Sequence, residues 1–73
     1  MTEYSVVLFY STAHAIRAEK VLTQAGFTIK MIPTPRQLSS DCGMALRFDR
    51  VDETPVGAVL KEYEVPINGI HAI

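Results

Sequence analysis

Residues 4–10, Tyr-Ser-Val-Val-Leu-Phe-Tyr, form a short unbroken run of aromatic and branched side chains. A run this short and this apolar predicts a buried central strand rather than a helix. Ser11 and Thr12 follow with hydroxyl groups suited to starting a helix. Over residues 13–25, Ala15, Ala18, Val21, Leu22 and Ala25 recur at helical spacing, with Arg17, Glu19, Lys20 and Gln24 on the opposite side. Gly26 supplies the stop. Residues 27–33 predict a second strand with Phe27, Ile29 and Met31 on one face, and the proline- and hydroxyl-rich stretch 34–42 predicts a loop. Residues 44–48 alternate as a third strand does. Asp52 or Thr54 caps a second helix, which takes Pro55 in its first turn and Val56, Val59, Leu60 and Tyr63 as its apolar stripe. Residues 65–73, carrying Pro66, predict a fourth strand.

The order βαββαβ, with two crossover helices and one hairpin, predicts an α+β, ferredoxin-like split β-α-β sandwich. Its antiparallel sheet has the order 4-1-3-2, with both helices on one face. Proline placement agrees. Pro33 and Pro66 fall on the strands that this order puts at the edges, where a missing N–H is tolerated, and the two central strands have none.

Composition narrows the functional classes. The chain has 73 residues, is 48% hydrophobic, and shows no repeat or linker, so residues 1–73 are expected to form a single domain. A domain of this size buries roughly 60% of its unfolded surface, which leaves a thin stability margin. Seven basic and eight acidic residues give a net charge of −1, so no basic field suits nucleic acid. No apolar run approaches the roughly 20 residues that span a bilayer, and the first residues lack the pattern of a secretory signal. One unpaired cysteine without a signal fits a reducing, cytoplasmic setting.

That cysteine, Cys42, is the one residue around which chemistry can be organised. In the expected topology the first strand ends where the third begins, so residues 11–14 should lie near Cys42. Along the third strand, Cys42 shares the parity of Met44, Leu46 and Phe48 and would point to the helix side. Unpaired N–H groups at a helix start favour a thiolate there, and Gly43 leaves backbone freedom beside it. Asp41 opposes thiolate formation. Arg36 could offset it, whereas Arg47 has the wrong parity. Two readings of Cys42 therefore stand: a small buried apolar residue or an activated thiol.

His14 and His71 do not have metal-ligand spacing, and a closed zinc site needs about four ligands. His14 belongs to the first turn of the first helix, where it could touch the Cys42 site. Ser39 and Ser40 read as turn formers that could also donate to whatever the sulfur carries. No cofactor-binding pattern is present. The first strand is apolar at both parities, with Val6, Leu8 and Tyr10 on one side and Val7 and Phe9 on the other. Two helices cover only one face, so the other should show an apolar patch used for a homodimer or for docking.

Several motifs resemble the small bacterial DUF3343 family of selenium/sulfur carrier-like domains. The first is Phe9-Tyr10-Ser11-Thr12-Ala13-His14-Ala15 with Ala18-Glu19-Lys20. More specific are Ile32-Pro33-Thr34-Pro35-Arg36, Leu38-Ser39-Ser40-Asp41-Cys42-Gly43 and Ala45-Leu46-Arg47-Phe48, followed by Val65-Pro66-Ile67-Asn68-Gly69-Ile70-His71. The resemblance covers nearly the whole chain, although the family often has a second histidine where this chain has Ala13. It implies a carrier protein rather than a stand-alone enzyme. Cys42 would hold a persulfide or selenopersulfide received from a donor such as a cysteine desulfurase and pass it to an acceptor protein. Ser11, Thr12, His14, Arg36, Ser39, Ser40, Asp41 and Gly43 would surround it. The alternative is a non-catalytic, dimeric interaction or regulatory ligand-binding module, since this fold serves many functions.

Overall fold

The computed structural model describes residues 3–38 and 43–73. Its elements run β1 (Tyr4–Leu8), α1 (Thr12–Gln24), β2 (Ile29–Pro33), β3 (Met44–Asp49), a 3-10 turn (Arg50–Asp52), α2 (Glu53–Glu62) and β4 (Gly69–Ala72). The four strands form one sheet in the order β2-β3-β1-β4, and every pairing is antiparallel. Read from the other edge this is 4-1-3-2, the ferredoxin-like arrangement expected from the element order.

Local chemistry explains the element ends. The Ser11 side chain accepts a hydrogen bond from the His14 backbone N–H at 3.3 Å, satisfying one of the orphan donors at the start of α1. At the other end, Phe27 N–H donates to Leu22 and Gly26 N–H to Thr23, with Gly26 at φ 92°. This is a Schellman closure, and the left-handed residue it requires is most easily glycine. The end of α2 repeats the pattern through Val65 N–H to Leu60 and Glu64 N–H to Lys61. There the left-handed position falls on Glu64, at φ 55°.

Side-chain alternation then sorts the sheet into two faces. Val7, Phe9, Leu46 and Phe48 meet Ala15, Ala18, Leu22, Val56 and Leu60 from the helices in the main core, with Ile29, Met31 and Met44 packed against it. Val6, Leu8 and Ala45 form a second cluster on the helix-free face, joined by Ile32 and Leu38.

Three expectations are corrected. Val6 and Leu8 do not form an open apolar patch on the helix-free face: Val6 and its neighbour Ala45 are 0% exposed and Leu8 only 2%. Leu38, from the connection between β2 and β3, packs against them together with Ile32. Pro66 does not lie on β4, which begins at Gly69; the Schellman closure after α2 and the segment that follows it take up residues 63–68. The edge argument therefore rests on Pro33 in β2. Tyr63 sits at the C-cap of α2 and is 52% exposed, so the apolar stripe ends at Leu60.

Candidate functional site

One edge of the sheet gathers the described residues that the sequence singled out. Leu8 at the end of β1 pairs with Ala45 near the start of β3 and with Gly69 at the start of β4. Pro33 at the end of β2 pairs with Met44. Beyond these pairs, Asn68 donates its N–H to the Leu8 carbonyl at 2.6 Å, and Thr34 donates its N–H to Gly43 at 3.0 Å. Four strand ends thus meet at this edge, and the N-terminus of α1 follows Leu8 after three residues.

Ser11 is the N-cap of α1, Thr12 its first residue, and His14 lies in its first turn. No acidic side chain occupies that turn, so the positive end of the helix is not offset from within its own first turn. His14 is half-buried, and its Nδ1 is a buried atom without a hydrogen-bond partner. A buried imidazole nitrogen left unpaired carries a desolvation cost. That cost marks His14 as a described side chain here with an unused polar atom.

Gly43 is exposed and serves the edge through its carbonyl. Arg36 is exposed in a turn in which Leu38 N–H donates to the Pro35 carbonyl at 3.0 Å. Among the described residues Arg36 forms no ion pair. Cys42, Ser39, Ser40 and Asp41, which the sequence placed at the centre of the site, lie outside the described residues. The strand parity invoked for Cys42 holds for Met44, Leu46 and Phe48, all of which belong to the helix-side core. Arg47 lies on the opposite face, its guanidinium 4.2 Å from the centre of the Tyr4 ring, as its parity required.

The two histidines are separated by the sheet. His71 pairs with Val6 on the helix-free side, whereas α1 packs on the other. Sequence reasoning had not placed Thr34 and Asn68 at this edge. Their contribution is a backbone N–H, which any residue but proline carries, so no side-chain signal could have flagged them. Among the described residues, no helix is long and apolar enough to cross a membrane.

A family model described as "Putative Se/S carrier protein-like" matches residues 3–72. The chain matches no curated protein and no solved structure.

Proposed function

The chain belongs to the Se/S carrier protein-like family, and from that membership we propose that Cys42 is the carrier atom's point of attachment. In this reading the Cys42 thiolate attacks the outer sulfur of a persulfide on a donor such as a cysteine desulfurase. The donor's S–S bond breaks, its inner sulfur leaves as a thiolate, and a new S–S bond forms at Cys42 Sγ. A nucleophile on the acceptor protein then attacks the outer sulfur and releases the Cys42 thiolate, so the cycle needs no external oxidant or reductant. With selenium the same two displacements apply.

The observation that carries the proposal is the family match across residues 3–72, in a chain whose one cysteine is Cys42. The sheet edge supports it. Gly43, to which Cys42 is bonded, is tied to Thr34 at the edge where α1 begins. A helix start without first-turn carboxylates favours an anion such as a thiolate. His14 offers an unpaired buried Nδ1 there, and Arg36, exposed and without an ion-pair partner among the described residues, can attract an acidic partner surface. Ser39 and Ser40 are proposed as hydroxyl donors to the terminal sulfur. Asp41 is proposed to keep the thiol pKa from falling as far as the helix alone would take it.

The rate of Cys42 alkylation against pH tests the activation this reading requires. A midpoint clearly below the free-thiol value of about 8.5 is expected. A midpoint at that value, or no reaction until the chain unfolds, favours the non-catalytic interaction module instead.

A further inference from the structure

A second feature lies on the helix-free face, at the opposite end of the sheet from the Gly43 edge. Lys30 on β2 stands directly opposite Arg47 on β3. Two like charges at opposed positions repel one another, and among the described residues neither forms an ion pair, although Asp49 lines the same cavity. The ion pair found among the described residues joins Arg50 to Glu3 at 3.2 Å and leaves both cations aside.

Arg47 is also held in place. Its guanidinium lies 4.2 Å from the Tyr4 ring centre, a cation–π contact that restrains the side chain without consuming its N–H donors. These groups line a cavity of about 270 Å³ together with Thr28 and Asp49. That volume is slightly below the range of about 300–1,000 Å³ usual for drug-sized ligands, so it suits a small molecule.

We propose that this cavity binds a small amino- or hydroxycarboxylate, its carboxylate held between Arg47 and Lys30 and its donor group by Asp49. The signs decide the ligand class. Arg47 and Lys30 call for an oxyanion, and a planar carboxylate matches the guanidinium fork. Asp49, on the same face and opposite Tyr4, repels a doubly charged group such as phosphate. It also accepts a hydrogen bond from an ammonium or hydroxyl group on the ligand. Thr28 adds a hydroxyl at the rim. The site uses none of the residues assigned to sulfur transfer and stands or falls independently of it.

The test is an NMR titration of the whole chain with acetate, glycine and inorganic phosphate at constant ionic strength. Saturable shifts confined to Tyr4, Thr28, Lys30, Arg47 and Asp49 are expected with acetate. They should saturate at lower concentration with glycine and be weakest with phosphate. Lys30 is exposed, so Lys30→Gln should fold normally, and it should weaken binding about tenfold through loss of one charge-assisted hydrogen bond. Arg47→Met, which keeps an apolar stem over Tyr4, should abolish binding. Asp49→Asn should narrow the preference for glycine over acetate. Shifts that grow linearly without saturating, binding unchanged in Lys30→Gln, or phosphate binding tighter than either carboxylate would each overturn the assignment.

Discussion

Thr34 donates its backbone N–H to the carbonyl of Gly43 at 3.0 Å, one step beyond the Pro33–Met44 pair that ends the β2–β3 ladder. The connection between the two strands therefore leaves and rejoins the sheet at a single point. Gly43, the residue after Cys42, is fixed to the sheet edge at that point.

Leu38 does structural work on the same connection. It packs, with Ile32, on the cluster of Val6, Leu8 and Ala45 on the helix-free face. Leu38→Ala should destabilise the chain by about 1–2 kcal/mol, less than a fully buried leucine because Leu38 is only half-buried. It should also raise the tendency to self-associate. Chemical denaturation and light scattering check the two effects, and an unchanged stability would mean that Leu38 does not seal this face.

Glu64 occupies the left-handed position that ends α2, at φ 55°. Its side chain gains nothing there that offsets the backbone cost: Glu64 is exposed and forms no ion pair among the described residues. Glu64→Gly should stabilise the chain by about 0.5–1 kcal/mol, the relief of a left-handed L-residue less the added chain entropy of glycine. A thermal or urea melt of the variant measures it. Gly26 holds the equivalent position after α1, so Gly26→Ala should shift stability the other way.

His14 separates a packing role from a chemical one. Its unpaired buried Nδ1 means that His14→Phe loses no hydrogen bond at that atom, and stability should stay within about 1 kcal/mol of the parent. If His14 helps to hold the Cys42 thiolate, alkylation at neutral pH should slow about tenfold in the same variant, the equivalent of one pKa unit. A normal alkylation rate would remove His14 from the site.

The strand and helix order was readable because each element carries a strong period. Val7, Phe9, Leu46 and Phe48 alternate where the sheet needs them, and Ala15, Ala18 and Leu22 recur where α1 meets it. Ser11 and Gly26 were readable as caps for the same reason, since each type has one local task. The fourth strand was drawn too long because Val65 and Ile67 are apolar, yet they pack on the core from outside any strand. The covering of the helix-free face was also missed. Leu38 sits in a stretch whose prolines and hydroxyls announce a loop, and a single leucine there has no period to show which face it will meet. The cation pair of Lys30 and Arg47 depends on the β2–β3 register, which pattern alone does not set across a long connection. For the site, sequence pattern nominated Cys42 and the start of α1. The backbone donors of Thr34 and Asn68 carried no signal, because every non-proline residue has one.

The most direct measurement of the central claim is the intact mass of the chain after incubation with a cysteine desulfurase and free cysteine. The account predicts a gain of one sulfur atom on the parent protein, reversed by a reducing thiol and absent from Cys42→Ser. No added sulfur on the parent, or equal addition to Cys42→Ser, would contradict it.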